Sequence, residues 1–225
     1  MNGSVWVVIP AFREAAVIRG VVAHVRARCP NVVVVDDCSP DATAAEALAA
    51  GAHVLRHPVN LGQGAALQTG IDYALAAGAD CVATFDADGQ HDVADLPVLL
   101  DAQRRTGADV VLGSRFLGHA DAMPAHRRVL LHAARLFTWA TAGLRLTDAH
   151  NGYRLLTRAA AQRIRLRQNR MAHASEIVEQ IRAAGLRWTE APVTVRYTDY
   201  SMAKGQRSSA AVRIVVDLLV ARLNR

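Results

Sequence analysis

Short apolar runs alternate with longer stretches of helical spacing through the first half of the chain. Val5-Trp6-Val7-Val8-Ile9 reads as a buried strand that Pro10 ends. From Ala11 to Arg28 the apolar residues Val17, Ile18, Val21, Val22 and Val25 recur at helical spacing. Val32-Val33-Val34-Val35 is a second strand stopping at Asp36-Asp37, and Ser39-Pro40-Asp41 opens an alanine-rich helix to Ala50. A short strand, His53-Val54-Leu55, precedes Asn60-Leu61-Gly62-Gln63-Gly64 and a helix to Ala77. Cys81-Val82-Ala83-Thr84-Phe85 is the central strand, followed by a helix from about Asp95 to Arg105 and a strand over Asp109-Val110-Val111-Leu112-Gly113. Such alternation predicts an α/β fold, a doubly wound and mainly parallel sheet flanked by helices, with right-handed crossovers.

The rhythm changes after Arg115. A long helix is expected over Pro124 to Ala142, and Leu146 to Arg154 reads as a loop entering a short strand. Ser175 to Ala184 is helical, and Arg187 to Val195 is a last strand whose Pro192 places it at a sheet edge. Tyr197 to Gln206 is a polar loop, and Ser208 to Leu223 forms a terminal amphipathic helix. Residues 1–206 then make one domain, with 207–225 as the appended helix.

Composition narrows the partners. The 225 residues carry a net charge of +6, with Lys204 the only lysine. This balance suits phosphates or a membrane surface, and no Lys/Arg block interleaved with aromatics points to nucleic acid. Cys29, Cys38 and Cys81 have no metal-ligand spacing and read as reduced structural thiols of a cytoplasmic protein. No signal peptide or apolar run of the ~18–20 residues that span a bilayer is visible, so any membrane contact would be peripheral.

Candidate chemistry sits where strands end. Asp86 and Asp88 follow the central strand, at the edge where open α/β sheets collect ligands. They are hard oxygen donors for Mg²⁺ or Mn²⁺ beside a diphosphate. Asp92 is expected to cap the next helix. Glu14 lies past the first strand, and Asp36-Asp37 fit a cap and turn as well as a ligand site. Gly62-x-Gly64 lacks the dinucleotide fingerprint and follows the third strand, which excludes a nicotinamide enzyme. Nor does a Gly-rich basic loop follow the first strand, as a sugar-nucleotide synthesising nucleotidyltransferase would have it.

The ordered motifs Val-Ile-Pro-Ala-Phe-Arg-Glu (8–14), Val-Asp-Asp-Cys-Ser-Pro-Asp (35–41), Asn-Leu-Gly-Gln-Gly (60–64), Asp-Ala-Asp-Gly-Gln-His (86–91), Gly-Ser-Arg-Phe (113–116) and Asn-Gly-Tyr-Arg (151–154) resemble the family 2 inverting glycosyltransferases of GT-A fold. Within them the chain is most similar to dolichol-phosphate mannosyltransferases and bacterial polyprenyl-phosphate glycosyltransferases. Phe12 departs from the usual Tyr, keeping a stacking ring without the hydroxyl, and the paired C-terminal membrane helices of many members are absent. The resemblance implies that Pro10, Phe12, Glu14, Val35, Asp37, Asp86 and Ala87 meet the nucleotide-sugar. It implies a metal at Asp86, Asp88 and Gln90, and phosphate-facing cations at Arg115, Arg127, Arg196 and Lys204. His91 and His173 are assigned to structure.

The expected reaction is metal-dependent, inverting transfer of a hexose from a GDP-mannose or UDP-glucose type donor to a polyprenyl or dolichyl phosphate. It would take place at the inner face of the cell membrane, with a small membrane-protein partner conceivable. A sugar-hydroxyl acceptor would instead need a base, with Asp148 as the candidate. A non-catalytic nucleotide-sugar-binding subunit is the remaining alternative.

Overall fold

The computed structural model describes residues 4–121, 143–149, 151–168 and 172–197, together with Arg128, Leu131, Arg135, Trp139 and Tyr200. The chain order is β1 (Val5–Ala11), α1 (Ile18–Arg26), β2 (Val32–Asp36), α2 (Thr43–Ala49), β3 (His53–Arg56), α3 (Gln63–Ala76) and β4 (Cys81–Thr84). A 3₁₀ turn (Val93–Asp95) leads into α4 (Leu96–Thr106). After it come β5 (Val110–Asp121), β6 (Arg154–Thr157), α5 (Arg158–Arg163), α6 (Ala172–Ala183) and β7 (Trp188–Arg196).

Seven strands form one sheet in the order β3-β2-β1-β4-β6-β5-β7. All neighbours are parallel except β6, which runs antiparallel to β4 and to β5. The period-2 alternation of β1 sends Trp6 and Val8 to one face and Val7, Ile9 and Ala11 to the other. Helices α3, α5 and α6 cover the first face through Leu67, Ile71, Ala160, Ile177 and Ile181. Helices α1 and α4 cover the second through Ile18, Val22, Val25, Leu96 and Leu99. Each buried aliphatic side chain contributes about 1.5–3 kcal/mol, so the two-sided core explains why these strands are continuous apolar runs.

Several boundaries move from the sequence expectation for local reasons. Helix α1 starts at Ile18 rather than Ala11, because the chain first turns at the sheet edge with Arg13 at φ +57°. Helix α2 starts at Thr43, whose hydroxyl hydrogen bonds to Asp41 after the turn at Cys38, φ +62°. Strand β5 runs on to Asp121, held by β7 across a register shift between Ser114 and His119. Helix α5 was not expected, its single turn and a half being rich in Arg and Ala without an apolar period. Asp92 does cap, accepting the Ala94 N–H at 2.9 Å. Strand β7 with Pro192 lies at the edge of the sheet, where a residue lacking an N–H costs least.

The expected helix over 124–142 lies mostly outside the described residues, although Arg128, Leu131, Arg135 and Trp139 are helical. The terminal helix over 208–223 and most of the loop before it lie outside them altogether. Among the described residues no helix is long and apolar enough to cross a membrane.

Candidate active site

Strand β4 ends at Thr84, and the Phe85 N–H still donates to the Val8 carbonyl at 3.0 Å, so the next residues emerge at the edge of the sheet. Asp86 is fixed from three sides. Its Oδ2 accepts from His91 Nε2 at 2.9 Å, its Oδ1 accepts from Gln63 Nε2 at 3.3 Å, and Gly152 packs against the carboxylate. A Cβ at Gly152 would overlap Asp86 Oδ2, so any larger residue there must displace that carboxylate. The Thr84 hydroxyl holds this approach by donating to the Gly152 carbonyl at 2.6 Å. His91 is itself boxed by Phe85 and Tyr153, with ring centroids 5.5 and 5.3 Å away.

Asp88 is placed differently. The turn carries Gly89 at φ +75°, and Asp88 Oδ1 accepts the Gln90 N–H at 3.0 Å, its sole hydrogen bond among the described residues. Burial raises the Asp88 carboxyl to about 6, helped by the negative charges of Asp86 and Glu14. Asp86 goes the other way. Burial would raise it, but the hydrogen bond and charge of His91, with Arg154 and His173, hold it below the usual carboxylate range. The pair therefore divides into one compensated carboxylate and one whose negative charge is unmatched.

Around this pair stand the residues expected to meet a nucleotide. Phe12 is half open, with the Arg13 guanidinium 5.3 Å from its ring centre. Glu14 is buried, its N–H donating to Thr43 Oγ1 at 2.8 Å and its Oε2 accepting from the Tyr200 hydroxyl at 2.7 Å. Burial and that carboxylate both push the Tyr200 phenol upward. Asp37 accepts from His57 Nδ1 at 2.8 Å and from the N–H groups of Leu61 and Gly62 at 2.8 and 2.7 Å, so it organises the loop before α3. Pro10 and Ala87 are buried, and Val35 is wholly enclosed in the core, leaving it no surface with which to touch a ligand.

At the β5 end, Arg115 Nε donates to Asp148 Oδ2 at 2.6 Å and Nη1 donates to the Tyr197 hydroxyl at 2.7 Å. Both members of the ion pair are buried. Burial would lower the Arg115 guanidinium, but Asp148 and Tyr197 outweigh it and push it upward. Glu190 on β7 secures the loop, accepting from Thr147 N–H at 2.9 Å, Thr147 Oγ1 at 2.8 Å and Asp148 N–H at 3.2 Å. Arg196 is exposed and pairs with Asp92 at 2.6 Å, while its N–H donates to the Gln90 carbonyl. Arg127 and Lys204 lie outside the described residues.

The structure thus gathers Glu14, Asp86 and Asp88 at one place and joins Arg115 to Asp148 at another. Sequence reasoning assigned His91 to structure without a partner, and gave no role to Gln63, Tyr197 or Arg154. Only His91, five residues from Asp86 in the same motif, carried a signal that could have named its partner.

A match to the glycosyl transferase family 2 model spans residues 6–165, which includes both ends of this edge. The chain belongs to that family. It is 31% identical to the polyprenol monophosphomannose synthase of Mycolicibacterium smegmatis, over 92% of this chain and 82% of that one. It is 28% identical to the UDP-N-acetylglucosamine–dolichyl-phosphate N-acetylglucosaminyltransferase of Methanococcus voltae, over 98% and 97%. In fold it matches the glucosyl-3-phosphoglycerate synthase of Mycobacterium tuberculosis, solved with Mn²⁺, uridine diphosphate and phosphoglyceric acid. The TM-score is 0.72 at 20% identity, covering 98% of this chain and 78% of that one.

For a family 2 glycosyltransferase, the donor set at β4 has clear chemistry. Among the described residues no group of three or more His, Cys, Asp or Glu side chains converges on one point. Asp86 and Asp88 are two carboxylates one residue apart, oxygen donors of the kind a hard divalent ion takes. The unmatched charge on Asp88 fits such a cation.

Proposed function

We propose that this glycosyltransferase moves a hexose from a nucleotide-sugar to a polyprenyl phosphate, with inversion at the anomeric carbon, at a membrane surface. The observation that carries the choice of acceptor is the enclosed Arg115–Asp148 pair. A hydroxyl acceptor needs a base to take its proton, and Asp148 already spends its carboxylate on a guanidinium. A phosphate monoester has a second pKa of about 6 and needs no base at neutral pH. The dolichyl-phosphate and polyprenol relatives support the same reading.

In this reading Phe12 stacks on the base, and Glu14 accepts from it once the Tyr200 hydroxyl gives way. Asp86, Asp88 and Gln90 hold Mg²⁺ or Mn²⁺; when bound, the ion offsets negative charge on the diphosphate. The acceptor phosphate is drawn in by Arg115, Arg127, Arg196 and Lys204. One of its oxygens attacks the anomeric carbon from the face opposite the diphosphate. The new C–O bond forms as the bond to the diphosphate breaks, and the nucleoside diphosphate leaves. Residues 207–225 act as an interfacial helix, its apolar stripe toward lipid, which leaves room for a small membrane-protein partner.

The test is a donor-and-acceptor screen. Purified protein with Mg²⁺ or Mn²⁺ receives UDP- and GDP-sugars, with and without a polyprenyl phosphate, and free nucleoside diphosphate is followed. Release that requires the lipid phosphate and disappears with chelator is expected. Release only with soluble sugars would move the acceptor to a hydroxyl, and no release despite donor binding would make the chain a binding subunit. Deleting residues 208–225 should free the protein from vesicles while donor binding persists.

A further inference from the structure

Arg154 opens β6 opposite Thr84 of β4 and Leu112 of β5, so its side chain starts from the middle of the functional edge. It is 3% exposed, yet among the described residues its guanidinium makes no hydrogen bond or ion pair. Every other buried charged side chain near this edge has one: Arg115 has Asp148, Asp86 has His91, and Glu14 has Tyr200. Among the described residues the sealed side-chain atoms without a hydrogen bond are Asp36 Oδ2, which has Arg56 Nε 3.1 Å away, His91 Nδ1, Asn151 Nδ2 and Tyr153 Oη. The nitrogens of Arg154 are not among these sealed atoms, so they keep what solvent contact the residue has.

A buried, unpaired guanidinium is costly. Burial pushes Arg154 down to about 10, and the attraction of Asp86 and Asp148 only partly offsets this. It stays protonated at neutral pH, with all five donors unspent. Its field reaches both Asp86 and Asp148, one at each end of the edge. A fork of donors in that position matches the oxygens of a phosphoryl group in size, charge and planarity.

We propose that Arg154 is a phosphate-binding residue which takes a phosphoryl oxygen at the junction of the β4 and β5 ends. The inference rests on the transferase reading above. That oxygen belongs either to the donor diphosphate or to the lipid phosphate, and the chemistry recognised is the same.

The experiment uses Arg154→Met and Arg154→Lys in the full chain. Calorimetric titration with UDP and GDP in Mn²⁺ reads the donor side, the KM for farnesyl phosphate reads the acceptor side, and thermal unfolding reads stability. In Arg154→Met one affinity is expected to fall at least tenfold, with the unfolding temperature unchanged or higher and partial recovery in Arg154→Lys. Weaker diphosphate binding assigns the residue to the donor, and a raised KM with diphosphate binding intact assigns it to the acceptor. Both affinities within twofold of wild type would overturn the proposal. So would a loss that merely follows a lowered unfolding temperature, since Arg154 would then be a structural counter-charge. If the wild type binds diphosphate but never turns over with lipid phosphate, the acceptor reading fails while the diphosphate titration still decides Arg154.

Discussion

At the β4 end of the edge, two carboxylates one residue apart leave negative charge unmatched, and Asp88 rises to about 6. At the β5 end, a carboxylate and a guanidinium neutralise each other out of water, with Tyr197 completing the set. The β4 end leaves the charge of Asp88 without a counter-charge of its own, whereas at the β5 end the guanidinium already holds a carboxylate and a hydroxyl. The two ends should therefore fail differently when a carboxylate is removed: one in its chemistry, the other in its folding.

The largest effect should fall on the finished end. Asp148→Asn leaves Arg115 buried without its counter-charge, and loss of about 3–5 kcal/mol of stability is expected in denaturant unfolding. A variant as stable as wild type would show that the pair is not a folding element. Asp88→Asn should do the reverse. Nucleoside diphosphate release should fall by about 10²–10³-fold, the usual loss for one electrostatic contact to the developing charge. Its unfolding temperature should hold or rise, because repulsion with Asp86 and Glu14 is relieved. A destabilised Asp88→Asn would erase the contrast.

Gly152→Ala sharpens the β4 side. The added methyl must displace Asp86 or the backbone, at about 1–3 kcal/mol for overpacking, with activity reduced more than stability. Full activity would mean that Asp86 can move without consequence. The smallest effect on stability should come from Arg196→Ala, whose side chain is 58% exposed in its pair with Asp92. Loss below about 1 kcal/mol is expected, and a thermal shift beyond a few degrees would contradict a rim role.

What could be read from the chain beforehand follows the range of the forces. The strands and most helices were legible because burial repeats locally, and Asp86 and Asp88 because they punctuate an apolar run. The edge position of β7 was legible from one missing N–H at Pro192. The Arg115–Asp148 pair spans 33 residues, and no local period encodes it. Arg115 and Asp148 were each identified, as a phosphate ligand and a possible base, but their contact was invisible. Arg154 was quoted as the end of a motif, yet its lack of a partner is a property of packing alone. The extension of β5 was missed because Ser114 and Arg115 break its apolar run, while β7 supplies the hydrogen bonds.

The reversed strand β6 also acts as a spacer. Neighbouring strands lie about 4.8 Å apart, so inserting β6 between β4 and β5 holds their ends about 10 Å from each other. That gap is fixed by backbone hydrogen bonds and not by any lining side chain. Substitutions along the edge can therefore change what lines the gap while the distance between the two strand ends stays the same.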